Sequence, residues 1–301
     1  MTANFQGIAP LPHLGVIRAQ GADAASFLHG QLTNDFVLLD SQHARLAAFC
    51  SAKGRMQASF IGFKASADEV WLVCSRDLLA QTLKRLSMFV LRAKCKLTDA
   101  TAEIQLLGLA GSAVPGGAAA PWTLSSEGSA HTVHLYPAAG VARALWLAPV
   151  GTPAPAGAAL DSALWQWGDV ASGVATVSQP VFEAFVPQML NYESVGGVNF
   201  KKGCYPGQEV VARSQFRGTL KRRAFIVHSA AELAAGMEVF AADDAEQATG
   251  TVVQAAPHPD GGWAAIVSMQ ISAAEQVLTA GSATGPALTL QPLPYALLED
   301  I

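Results

Sequence analysis

Arg45 to Cys74 reads RLAAFCSAKGRMQASFIGFKASADEVWLVC, and this stretch decides the fold class. Arg45–Cys50, Met56–Phe63 and Glu69–Cys74 are apolar runs of strand length, separated by Lys53-Gly54 and by Ala65–Asp68 as turns. They predict a meander of three strands paired to their sequence neighbours. Upstream, His13–Arg18 predicts another strand, and Gly21-Ala-Asp23 leads into a helix with Asp23 placed as N-cap and Phe27, Leu28 and Leu32 turned inward. Downstream, Ser75 or Asp77 caps a helix in which Leu79, Leu83, Leu86 and Val90 recur at the spacing of one buried face. Strand, helix, strands, helix with local pairing defines an α+β class and not a doubly wound parallel sheet.

Farther out, Gly108–Pro121 (GLAGSAVPGGAAAP) and Pro149–Ala159 (PVGTPAPAGAA) are rich in Gly, Ala and Pro and read as connections. After Ala224, the short runs AFIVH, MEVF, TGTVVQA, WAAIVS and ALTL alternate with turns such as Pro257–Gly262, the texture of a small all-β barrel. At 301 residues the chain has room for two or three domains of roughly 100–200 residues each. Its residues are 51% hydrophobic, yet Pro, Gly or charge interrupts every apolar run before the roughly 20 residues of a bilayer span. MTANFQGIAPLPHLG at the start lacks the basic and apolar regions of a secretory signal, so a cytoplasmic location is expected. Cys50, Cys74, Cys95 and Cys204 stand far apart without a C-x-x-C pair, which predicts reduced thiols and no disulfide.

The formal net charge of −4 argues against a general nucleic-acid-coating surface. Locally the balance reverses: Lys201, Lys202, Arg213, Arg217, Lys221, Arg222 and Arg223 are opposed between residues 201 and 223 only by Glu209. Such a patch suits either an anionic ligand held by charge-assisted hydrogen bonds or a solvated charged face. Within it, Gly203 and Gly207 bracket Cys204-Tyr205-Pro206, the pattern of a tight turn. Two readings of Cys204 stay open. Either the turn presents the thiol outward, where Lys201, Lys202 and Arg213 favour a thiolate, or the cysteine packs as a small hydrophobe. Trp165, in LDSALWQWGDVASG beside Leu160 and Leu164, is either core or a flat wall on which a heterocycle gains about 0.5–1.5 kcal/mol beyond burial. The absence of phosphate-loop, dinucleotide, nucleophile-elbow and H-E-x-x-H motifs argues against nucleotide hydrolysis and zinc proteolysis. His131 and His134 read as positions along one short strand, and no metal set is assigned.

The motif K-G-C-Y-x-G-Q-E at Lys202–Glu209, inside KKGCYPGQEVVAR, resembles the signature of the YgfZ family, bacterial folate-binding proteins that support iron-sulfur enzymes and are distant cousins of the glycine-cleavage aminomethyltransferase. The similarity extends through FVPQMLNYESVGGVNFK and VARSQFRGTLKRRA to GADAASFLHGQLTND, AAFCSAKGRM and QPLPYALLED, almost the whole chain. It implies a three-domain ring around a folate site, with ferredoxin-like α+β domains and a C-terminal β-barrel. A discontinuous first domain would take residues 1–20 and 105–218, a second 21–104, and the barrel 219–301. Lys202 and Cys204 would be the functional pair, the sulfur facing a cleft where a pterin lies. Trp165 occupies the place of a folate-contacting tryptophan, Leu14 replaces a second one, and Lys202, Gln208 and Arg213 complete the expected folate-facing set. Pro206 stands where threonine is common and should stiffen the turn. The segment that carries paired acids in the aminomethyltransferase is here Lys53-Gly-Arg-Met-Gln-Ala58, so aminomethyl transfer lacks its electrostatic partner. The implied role is an accessory protein for iron-sulfur cluster assembly or repair, using tetrahydrofolate or a related folate. Its partners would be iron-sulfur enzymes, including tRNA-thiolating ones, or assembly factors, in preference to tRNA itself. A folate-dependent one-carbon transferase and a non-catalytic scaffold are the alternatives.

Overall fold

The computed structural model describes residues 5–216, 220–242 and 246–298. In chain order its strands and helices begin with β1 (Gly7–Pro10), β2 (Leu14–Gln20), α1 (Ala24–Gln31), β3 (Ala44–Cys50), β4 (Met56–Ser66), β5 (Glu69–Ser75), α2 (Arg76–Ser87) and β6 (Lys96–Asp99). The meander forms as its sequence predicts, β3-β4-β5, and β2 and β6 extend it to five antiparallel strands in the order β3-β4-β5-β2-β6. Both faces of this sheet are covered. On one, Ile17, Leu72 and Cys74 pack with Leu28 of α1 and with Leu79 and Leu86 of α2; on the other, Met56, Phe63, Trp71 and Val73 enter the main core. Two-sided burial explains why its strands read as continuous apolar runs and not as strict alternation. Leu79 and Leu86 are nearly or wholly buried, each worth about 1.5–3 kcal/mol.

Two local expectations change. The carboxylate of Asp23 caps no α1 amide; it accepts from the amide of Lys94 at 2.7 Å, tying the helix start to the segment before β6. Val90 lies beyond the end of α2, which stops at Ser87.

The second sheet comprises β7 (Ile104–Ala110), β8 (Leu124–Glu127), β9 (Ala130–Ala138) and β10 (Val141–Pro149) together with β1, in the order β1-β7-β10-β9-β8. Gly108–Ala110, expected in a connection, are strand. Gly108 is required there by packing, because a Cβ at this position would fall 2.6 Å from the ring of Trp165. Of the expected connection Pro149–Ala159, Pro149 is the last residue of β10 and the rest links β10 to the next helix, with Ala158 accepting from the amide of Ile8 at 2.8 Å. α3 (Ser162–Ala171) covers this sheet, its N-cap Asp161 accepting from Ala163 N. β2 pairs with β5 and β6 along Leu14–Gln20, so the chain leaves one sheet for the other between β1 and β2, ahead of residue 20.

α4 (Gln208–Phe216) leads to β11 (Arg222–Ser229), β12 (Glu238–Ala241), β13 (Gly250–Pro257), β14 (Trp263–Gln270), β15 (Leu278–Ala280) and β16 (Ala287–Gln291). These close into a barrel ordered β11-β14-β13-β12-β15-β16. Val227, Val239, Val252 and Val267 fill it. Among the described residues no helix is long and apolar enough to cross a membrane.

Candidate functional site

The segment Lys201–Gly207 is a loop laid across the end of α1 and the β3–β4 turn. Lys202 turns inward: it is 8% exposed, its Nζ donates to the carbonyls of His29 and Leu32, the latter at 2.9 Å, and it lies 4.6 Å from the centre of the Tyr205 ring. The ammonium therefore closes the C-terminal end of α1, where carbonyls lack helical partners. Burial lowers its pKa to about 8 against the opposing pull of Asp35 and Cys204. Burial works to raise the Asp35 carboxyl, but bonds from Leu38 N and His29 Nδ1 outweigh it and hold the group below its ordinary value. Gly207 has φ +80°, and a Cβ there would fall 2.4 Å from the carbonyl oxygen of Ser51, so the loop touches the turn backbone to backbone. α4 starts at the next residue.

Cys204 is exposed on this loop, whereas Cys50 and Cys74 are buried with thiol pKa values pushed up to about 12. The outward-facing reading of Cys204 is the one the fold adopts. Of the other basic residues, Lys201, Arg213 and Lys221 are exposed. Arg222 is half-buried on the Thr249 carbonyl, and Arg223 is buried against Glu193 at 2.5 Å. The patch is thus split between surface cations and cations turned inward. Arg217 lies outside the described residues.

A cleft opens elsewhere, between the two sheets. Leu14, Ile61 and Val73 form one wall, Tyr136 and Arg143 the other, and Asp169 of α3 lies at its edge; it encloses about 50 Å³. Arg143 Nη2 donates to Asp169 Oδ1, and His13 stands 3.9 Å from the second carboxylate oxygen. Burial lowers the Arg143 pKa while Asp169 opposes the shift. Two buried nitrogens beside this pair, Arg143 Nε and His13 Nδ1, have no hydrogen-bond partner among the described residues, which is unusual for buried polar atoms.

The structure thus divides the residues singled out by the sequence. Leu14 is on the cleft wall. Trp165 is fully buried behind it, its ring covered by the Arg143 guanidinium at 4.4 Å, so what the cleft meets at this point is Arg143. Lys202, Cys204, Gln208 and Arg213 do not line this cleft. The bonds of Lys202 hold the cysteine loop on the end of α1. Arg143, Asp169 and Trp122, the last also on the cleft wall, were missed by sequence reasoning. An arginine inside the apolar strand VARALWLAP was the available signal, since a buried charge requires a partner. The segment Lys53–Ala58 has no acid, and Gln57 instead donates to Glu183 at 2.6 Å.

No protein-family model matches the chain. Two α+β sheets closed by a six-stranded barrel define a protein of the aminomethyltransferase fold. The chain superposes on the glycine cleavage system aminomethyltransferase T of Bartonella henselae with a TM-score of 0.73, covering 98% of this chain and 87% of that one at 15% identity. In sequence it is 30% identical to the tRNA-modifying protein YgfZ of Edwardsiella ictaluri, over 93% of this chain and 89% of that protein. With the YgfZ of Sodalis glossinidius the identity is 31%, over 94% and 91%. The chain belongs to the YgfZ family.

Proposed function

We propose that this protein binds tetrahydrofolate or a related folate in the inter-sheet cleft and, through Cys204, supports the assembly or repair of clusters in iron-sulfur enzymes, those that thiolate tRNA among them. The observation that carries the reading is the exposed Cys204 thiol on a loop whose preceding lysine is locked to two carbonyls. A thiol held outward on an anchored loop suits exchange with, or transient ligation to, a partner's metal or sulfur.

The cleft suits a pterin in chemistry. Its walls are largely apolar, with Tyr136 and Trp122 as flat faces and Arg143, Asp169 and Ser59 as polar contacts. The closed volume of about 50 Å³ falls short of the roughly 300–1,000 Å³ of ordinary ligand sites, so entry requires the walls to part. Asp169 is a carboxylate in the cleft, but Arg143 already engages it; its charge is committed to that pair, which favours an accessory role over a transferase. Folate and sulfur therefore act at separate places, the folate as a ligand that holds the two sheets together.

The test is complementation and titration. Cys204→Ala should fold normally yet fail to restore iron-sulfur enzyme activity in cells lacking the native protein; full restoration removes Cys204 from the mechanism. Purified protein should bind tetrahydrofolate saturably; an absence of saturable binding favours an interaction scaffold.

A further inference from the structure

A second cavity, of about 610 Å³, lies between α3, the β9–β10 turn and the barrel. Its size falls in the roughly 300–1,000 Å³ range of small-molecule sites. Ile226, Leu293 and Pro294 supply apolar wall, and Trp167 supplies an aromatic one. The ring of His258 stands perpendicular to Trp167 at 5.6 Å and to His228 at 5.0 Å.

Backbone contacts set what each imidazole offers. His228 Nε2 lies 2.9 Å from the carbonyl of Gly261, an acceptor, so this nitrogen carries the proton and Nδ1 is left as an acceptor. His258 Nδ1 accepts from the amide of Asp260 at 3.2 Å, which places the proton on Nε2 as a donor. The wall therefore combines an acceptor and a donor with an aromatic face. An amino group beside a ring nitrogen presents the complementary pair. Among the described residues no lysine or arginine lines the wall, so a phosphate or a glutamate tail finds no cationic side chain to hold it there.

We propose that this cavity binds an uncharged, planar amino-heterocycle of the adenine type, as a base or nucleoside without phosphate. The site is distinct from the inter-sheet cleft, with which it shares no wall residue.

Calorimetric titration of the full chain with adenosine tests it, with AMP and tetrahydrofolate as parallel arms. Saturable adenosine binding at one site is expected, at least tenfold tighter than AMP. It should weaken at least tenfold in His258→Phe, which keeps the ring stacking and removes the donor. Tetrahydrofolate binding should be unchanged in that variant, so this proposal and the folate reading fail separately. No saturable adenosine binding at millimolar concentration, AMP binding as tightly as adenosine, or undiminished adenosine binding by a folded His258→Phe protein overturns it.

Discussion

The ammonium of Lys202 donates to the carbonyl oxygen of Leu32 at 2.9 Å, across 170 positions of sequence, and to that of His29 as well. This one contact fixes the cysteine loop to the end of α1. Lys202→Met leaves both carbonyls without their donor. At about 1–3 kcal/mol for each buried group left unmatched, urea unfolding should show a loss of about 2–6 kcal/mol.

The same lysine makes stability depend on pH in the alkaline range. Its pKa is about 8 in the folded protein and near the ordinary 10.5 when unfolded, so between these values unfolding takes up a proton. Stability then rises with pH across this window, by at most about 1.4 kcal/mol per unit from this group. Equilibrium unfolding of wild type minus Lys202→Met, measured from pH 7.5 to pH 10, isolates the slope. A flat or falling difference contradicts the inward placement of the charge.

Gly207 and Gly54 meet where no side chain fits, with a Cβ on Gly207 falling 2.7 Å from Gly54 Cα. Gly207→Ala combines this clash with an unfavourable positive φ. We expect a loss of about 2–3 kcal/mol, in the upper range of single substitutions, read as a lowered denaturation midpoint. Cys204 should also become more mobile in a spin-label measurement.

Cys204 should separate from Cys50 and Cys74 by reactivity. Native protein treated with a thiol reagent near pH 8 should modify Cys204 first, with Cys50 and Cys74 unreactive until urea is added, since burial raises their thiol pKa values to about 12. Mass mapping of the labelled peptides gives the order.

Arg143 and Asp169 form the polar edge of the inter-sheet cleft. Arg143→Met should cost about 2–4 kcal/mol by leaving a partly buried carboxylate without its cation and should weaken tetrahydrofolate binding. The double variant Arg143→Met/Asp169→Leu should recover part of the stability but not the binding, because neighbouring partners are non-additive. Thermal unfolding and folate titration of the three proteins separate the two roles.

The sequence by itself determined the elements. The runs from Arg45 to Cys74 became β3, β4 and β5, Leu79 and Leu86 anchored α2, and the short runs after Ala224 closed the barrel. Hydrophobic spacing and turn residues are local properties, set by neighbours along the chain. The loop carrying Cys204 was legible for the same reason, through its flanking glycines. What only the tertiary structure decided is where each polar or special side chain finds its partner. Gly108 reads as loop until Trp165 is laid against it, Lys202 reads as a surface cation until α1 offers its terminal carbonyls, and Trp165 reads equally as core or cleft wall until burial beneath Arg143 decides for core. Burial creates each of these pairings, and the groups that meet in a buried site are brought together from distant parts of the chain, where no local pattern records them.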